Sequence, residues 1–311
     1  MNARRPSSGE AQVAPFVARK AKALDLELGR AIRRVLGKTD EEAVHDMRVA
    51  IRRLRTMLRF ARPVFGRFHA DAVRRSFSDV QAATGELRDE EVLGETLEAL
   101  GIDDAIFGAW RERRNARERR LRAAVIAHLR AGDLTRARRM LHGLLLFPVK
   151  ASHNEALGKF ARRAVNVARK DVESLRDVPT SDTEQLHALR IQYKKLRYAA
   201  EIFAEALPLD LAVIAEPAAR FQKRLGDIHD LDMALAAIAR ARGLPVELRA
   251  RVAGALVEAR AKKARKYLDD MAPSTREEAS EVPSRPSLRR AGPKEPVQAM
   301  GGVGLRKIST F

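Results

Sequence analysis

The sequence contains no cysteine. Disulfides, thiolate metal centres and cysteine nucleophiles are therefore excluded, and the absence fits a reducing compartment. Aromatic residues are scarce, at 5%, which argues against the stacking platforms that bind single-stranded nucleic acids. No stretch is apolar for long enough to span a bilayer. Residues Met1 to Gln12 are polar and lack the apolar centre of a secretion signal. The chain is read as cytoplasmic, with no membrane partner. Catalytic signatures are missing too: there is no Walker loop, no G-x-G-x-x-G, no G-x-S-x-G and no repeated pair of acids suited to hydrolysis. No nucleophile and base stand at a suggestive spacing. A non-catalytic protein without a cofactor is expected.

Negative charge is also in short supply. Asp and Glu number 41 against 60 Lys and Arg, a net charge of +19, and the isoelectric point is about 10.9. Such an excess repels itself in a compact state unless a polyanion neutralises it. Nucleic acid, an anionic surface and inorganic polyphosphate all qualify on charge alone.

What the chain does have is helix. Hydrophobic residues make up 45% and charged residues 32% of 311 positions, enough for a real core in one large domain or two ordinary ones. Ala, Leu, Arg and Glu dominate, all strong helix formers, so an all-α fold is expected. Residues 1–15 read as a flexible arm. Helical spacing then covers Phe16–Leu36 with Gly37 as a stop, Glu41–Arg62 ended by Pro63, and Arg67–Thr84 closed near Gly85. Further helices start near Asp89, cover Asp103–Arg130 with Gly132 after it, and cover Leu134–Phe147. The pattern restarts with Ser152–Leu175, Thr183–Leu207, Leu209–Leu225 (kinked near Pro217 and closed by Gly226), Asp230–Ala241 and Val246–Asp269. From 271 to 311 the composition turns to Pro, Ser, Gly and Arg, which predicts a disordered tail.

An internal repeat organises this pattern. His45-Asp-Met-Arg48-Val-Ala-Ile-Arg52-Arg53-Leu54-Arg55 aligns without gaps to His187-Ala-Leu-Arg190-Ile-Gln-Tyr-Lys194-Lys195-Leu196-Arg197. Further on, Gln81 to Asp89 aligns to Gln222 to Asp230. Two similar halves, about 16–148 and 152–270, packed about a pseudo-twofold axis and each a bundle of about four helices, are the economical arrangement.

On a helical wheel at ~100° per residue, His45, Arg48, Arg52, Arg55 and Arg59 share one narrow arc. Val44, Met47, Ile51, Leu54 and Leu58 share a second. The other copy repeats the division, with His187, Arg190, Lys194 and Arg197 on the polar arc and Leu186, Leu189, Tyr193, Leu196 and Phe203 on the apolar one. Arg53 and Lys195 lie to the other side. Like charges one turn apart destabilise a helix by a few tenths of a kcal/mol per pair. One such face is ordinarily a solvated surface. Two in register point to a bound anion, and Arg and Lys suit phosphate. The run Arg111 to Arg122 lacks a counterpart and carries Glu112 and Glu118, so it reads as a solvated face.

Glu42-x-x-His45 and Glu184-x-x-His187 invite comparison with di-iron carboxylate bundles, with Asp89 and Asp230 as further ligands. Thr39-x-x-Glu42 and Ser181-x-x-Glu184 also form capping boxes, which account for the glutamates without metal. An arginine beside each histidine disfavours a dication. No metal site is therefore assigned. Asp89 and Asp230 read either as N-caps of following helices or as groups that orient the basic arcs. His69, His128, His142, His153 and His229 read as isolated, and Tyr198 as core.

The two copies, H-x-x-R-V-A-x-R-R-L-R followed by G-x-x-R-D, and H-x-x-R-x-x-x-K-K-L-R-Y-x-x-E followed by L-G-x-x-x-D, resemble the CHAD family (conserved histidine α-helical domain) over about residues 16–270. The resemblance implies two four-helix bundles around a basic central cavity, binding of inorganic polyphosphate and association with polyphosphate granules. Carried onto this chain, the implied binding positions are His45, Arg48, Arg52, Arg53, Arg55 and Arg59, then His187, Arg190, Lys194, Lys195 and Arg197, with Gln222 and Lys223 less firmly matched because the first copy has Ala82 opposite Lys223. Some members carry a triphosphatase domain with an E-x-E-x-K signature. This sequence has none, so that activity is not implied. The alternative reading is a sequence-independent nucleic-acid-binding protein.

Overall fold

The computed structural model describes residues 12–38, 40, 42–147 and 155–272, and among them every regular element is a helix. They form α1 (Val13–Gly37), α2 (Glu42–Phe60), α3 (Arg62–Phe65), α4 (Arg67–Ala83), α5 (Gly85–Glu98), α6 (Ala105–Ala131) and α7 (Asp133–Leu146). The second half contributes α8 (Leu157–Glu173), α9 (Thr183–Phe203), α10 (Leu209–Ala212), α11 (Ala215–Ala239) and α12 (Val246–Met271), with a 3-10 turn at Ala204–Ala206. One antiparallel bridge joins Gln12 to Ala156, the residues that precede α1 and α8.

Most helix boundaries match the apolar spacing, and the departures have identifiable causes. α1 begins at Val13, inside the expected arm, because Pro15 sits in its first turn, where a missing N–H forfeits no helical bond. Its left-handed terminator is Lys38 (φ 53°), one residue beyond Gly37, with its N–H on the Arg34 and Val35 carbonyls. Pro63 likewise sits in the first turn of α3. The remainder of the expected arm, the expected cap Thr39 and residues 273–311 of the expected tail lie outside the described residues.

Three expectations need correction. Gly226 does not end a helix: α11 runs through it unbroken from Ala215 to Ala239. A glycine in a helix interior costs about 1 kcal/mol relative to Ala; here Arg190 packs against it, its Nε in van der Waals reach of an added Cβ at 3.4 Å, so a side chain larger than a methyl would press on Arg190. Asp230 is therefore an interior residue of α11, and Asp89 is interior to α5, which opens at Gly85. Neither aspartate is an N-cap. Ser181 is not the cap of α9 either. Asp182 takes that place and accepts from the Gln185 N–H at 2.9 Å.

The apolar arcs seat the helices. Val44, Met47, Ile51, Leu54 and Leu58 of α2 are all buried, as are Leu186, Leu189, Tyr193, Leu196 and Phe203 of α9. Fully burying one such side chain stabilises by about 1.5–3 kcal/mol, so neither helix can roll without losing several of these contributions. A first core gathers α1, α2, α4, α7 and the end of α6 with the start of α8 and the end of α9, so it already crosses between the halves, and a second gathers α8, α9, α11 and the end of α12. A third joins the halves: Leu93, Leu97, Phe107 and Trp110 pack with Leu231, Ile238, Leu248, Val252 and Leu256. α2 also touches α9, and α5 touches α11. This arrangement turns the polar arcs of α2 and α9 toward shared space.

Candidate functional site

The polar arcs are half-buried along most of their length, since each residue lies one helical step from a fully buried one. They line two cavities. The first, about 530 Å³, is faced by His45, Arg48 and Arg52 from α2, and by Arg190 and Lys194 from α9. The second block of each repeat adds Gln81, Arg88 and Asp89 from one half and His229 and Asp230 from the other, and Arg114, Arg117 and Arg240 complete the cationic lining. The second cavity, about 450 Å³, is faced by Arg52, Arg55 and Arg59, by Lys194 and Lys195, and by Arg62, Arg74 and Arg163. Asp171 is its one carboxylate among the described residues. Arg52 and Lys194 line both cavities, so the two meet where α2 faces α9.

Pairing inside the protein is uneven. Arg48 donates to the Gln81 carbonyl at 3.2 Å and to the Thr84 hydroxyl, and Arg55 donates to Gln81 Oε1 at 2.6 Å. Among the described residues neither has a carboxylate partner at ion-pair distance. Among the described residues, Arg52, Arg59, Arg190 and Lys194 likewise meet no carboxylate at ion-pair distance, and the Nε groups of Arg52, Arg55 and Arg190 are buried without a hydrogen-bond partner. Buried cationic donors without partners are costly. An anion in the cavities would relieve that cost.

The electrostatics point the same way. Burial, and then Arg52, Arg190, Arg55 and Lys195, push the Lys194 ammonium down to about 8. Burial, Arg190 and His187 push His229 down to about 4. His45 is lowered by burial and by Arg88, and His187 by burial, Arg190 and Lys194. These histidines are thus held toward the neutral form, in which each still offers one N–H. Arg48 and Arg190 are also lowered, chiefly by burial. Asp230 is raised by burial, although Arg190 opposes the shift.

Not every candidate residue reaches a cavity. Arg53 is engaged elsewhere, 3.7 Å from Glu27 and 3.8 Å from Glu201. Arg197 donates to Glu201 at 2.6 Å and lies beside the buried Tyr198 ring. Glu201 occupies the position that matches Arg59, so the second arc ends in a carboxylate where the first ends in a cation. Lys223 is exposed, 3.4 Å from Asp227, and Gln222 lines neither cavity, although its Oε1 is buried without a partner. His187 sits behind the first cavity, its ring centroid 4.5 Å from that of His229. Glu184 and Glu42 are both exposed at helix starts. Among the described residues no three His, Asp or Glu gather in a metal-binding group.

Other lining residues escaped the sequence reading. His229 is not isolated, and Arg88 holds the matching place in the first half. Both lie inside the aligned second block, where the pairing of a cation with a histidine was the available signal. Arg114 and Arg117, read as part of a solvated face, instead reach the buried Glu90 and the rim of the first cavity. Arg62, Arg74 and Arg163 stand outside the repeat, and only the packing brings them to the second cavity.

The family model described as the CHAD domain matches residues 22–239. No curated protein matches this sequence. Among solved structures, the CHAD domain from the plant Ricinus communis is similar at a TM-score of 0.71 and 21% identity, over 86% of this chain and 94% of that one. PptA from Streptomyces chartreusis is similar at a TM-score of 0.65 and 17% identity, over 84% and 98%. At these identities the two structures speak to fold alone. No helix among the described residues is long and apolar enough to cross a membrane.

Proposed function

The chain belongs to the CHAD domain family, and from that premise we propose that it is a non-catalytic binder of inorganic polyphosphate. The observation that carries this reading is the pair of cavities joined at Arg52 and Lys194, into which the two arcs bring Arg48, Arg52, Arg55, Arg59, Arg190 and Lys194, none of them at ion-pair distance from a carboxylate among the described residues. A linear polyanion supplies closely spaced charge along the whole path, which discrete anions do not. In this reading Arg48, Arg52, Arg55, Arg59, Arg190, Lys194 and Lys195 contact phosphate directly, and His45 and His229 donate hydrogen bonds. Arg53 and Arg197, held by Glu201, support the arcs from behind. Location in the cytoplasm, at polyphosphate granules, follows from the same reading.

Calorimetry with long-chain polyphosphate at physiological salt tests it. Tight binding is expected, with a loss of at least about a hundredfold when Arg48, Arg52, Arg190 and Lys194 are all changed to Ala. Weak binding, or affinity that survives those changes, overturns the proposal. Nucleic acid is the second reading, and the net charge of +19 favours it. Competition separates the two: DNA that displaces polyphosphate at equal phosphate concentration removes the claim of specificity, whatever its salt dependence.

A further inference from the structure

The second cavity has two unlike sides. One is the basic arc of Arg52, Arg55, Arg59, Lys194 and Lys195. The other is apolar, formed by Phe160, Ala164 and Val167 of α8 with Phe60 and Ile191. Val167 is 55% exposed there, an open apolar surface beside a cluster of cations. Inorganic polyphosphate has no apolar group with which to cover that side, so the polyphosphate reading leaves it without a role.

We propose that the second cavity is a site for a nucleoside di- or triphosphate, its phosphates on the basic arc and its nucleoside against the α8 face. This goes beyond the polyphosphate reading, with which it shares Arg52 and Lys194. The charge chooses the ligand class. Arg62 and Arg74 are paired with Asp71 and Arg163 with Glu155, but Arg52, Arg55, Arg59, Lys194 and Lys195 remain beside the single carboxylate of the lining and call for an anion with several charges, and a nucleoside triphosphate carries them together with a compact apolar body. A lipid with a single phosphomonoester carries at most about two charges. A volume of about 450 Å³ suits a mononucleotide. Asp171, at the edge of the apolar side, provides an acceptor for an exocyclic amine on the base.

The test compares ATP with inorganic tripolyphosphate, which present the same three-phosphate chain and differ in the nucleoside. Titrate both into the full-length protein by calorimetry, then into Val167→Asn, an exposed position where a polar residue leaves the core untouched. ATP is expected to bind about tenfold more tightly than tripolyphosphate, and Val167→Asn to cut ATP affinity about fivefold while tripolyphosphate is unchanged. Circular dichroism confirms the fold of the variant. Equal affinity for the two ligands overturns the proposal, as does a preference for ATP that persists undiminished in Val167→Asn. Long-chain polyphosphate, titrated in parallel, keeps the readings apart. If it binds and ATP is not preferred, only this inference fails; if it does not bind, the proposed function fails on its own evidence.

Discussion

Arg52 of α2 and Lys194 of α9 come from opposite halves of the repeat, yet both line both cavities, and Arg52 is the leading charge that depresses the Lys194 ammonium. The two residues therefore repel each other at the junction of the cavities in the unliganded protein. Folding holds them together through the apolar seams behind them, and a bound anion would turn the repulsion into a shared contact.

Replacing Lys194 should separate stability from binding. Its ammonium titrates at about 8 in the folded protein, against ~10.4 when unfolded. The unfolded state holds the proton more firmly, so stability is lower below pH 8 and recovers as pH rises from about 8 to about 10.5. Lys194→Met is expected to stabilise by about 1–3 kcal/mol at pH 7 and to weaken polyphosphate binding roughly tenfold. Thermal melts and calorimetry on the same preparation check both signs. A variant that is less stable and binds as before contradicts the assignment.

The same amine predicts a pH dependence of binding. An anion favours the protonated form, so affinity should fall as pH rises through about 8. At pH 8.5, binding should take up protons, seen as heats that differ between buffers of unlike ionisation enthalpy. Lys194→Arg, permanently charged, should abolish the uptake.

Gly226 should be sensitive to side-chain size in a way that Gly85 is not. An added Cβ at Gly226 meets Arg190 at 3.4 Å, whereas nothing lies within 4 Å of one at Gly85. Gly226→Val is expected to displace the Arg190 guanidinium and lower polyphosphate affinity several-fold with the helix intact. Gly85→Ala should leave binding unchanged and stabilise by about 0.5–1 kcal/mol. Binding isotherms and melts for the pair decide it.

Away from the cavities, Asp25 ties α1 to α7. Its side chain is 7% exposed and accepts from Arg138 at 2.7 and 2.9 Å, with His142 Nε2 at 2.8 Å. Burial alone would raise this carboxyl, but the Arg138 and His142 contacts outweigh it and hold it below the usual range. Its stabilising contribution is present above the unfolded carboxylate pKa and lost only as pH falls through the lower folded value. Asp25→Asn should cost about 1–3 kcal/mol, since it leaves the half-buried Arg138 without its charged partner. Denaturant titration measures it, with polyphosphate affinity expected to hold.

Much of this molecule was legible in its residues, and the exceptions share a cause. The two arcs of α2 appear on a helical wheel because one spacing sets both the burial of Ile51 and the exposure of Arg52 to a cavity. The pairing of α2 with α9 followed from the duplication. Gly226 misled because a glycine reads as a stop until the guanidinium beside it is known. Arg53 and Arg197 misled because the wheel shows which side a residue faces and not that Glu201 waits there. Arg62, Arg74 and Arg163 could not be read at all, since neither periodicity nor repeat relates them to the arcs.

The third core, built from α5 and α6 of one half and α11 and α12 of the other, gives the duplication a further meaning. Two copies that share a core amount to a symmetric dimer sewn into one polypeptide. In a true twofold dimer every contact between two residues occurs twice, and a change in one subunit is imposed on both. A single chain lifts that constraint. Arg59 and Glu201 hold matching places in the repeat, as do Arg88 and His229, unlike pairs that identical subunits cannot have. The two cavities that meet at Arg52 and Lys194 are therefore unlike, and a polyanion lying across both would meet different surroundings at its two ends.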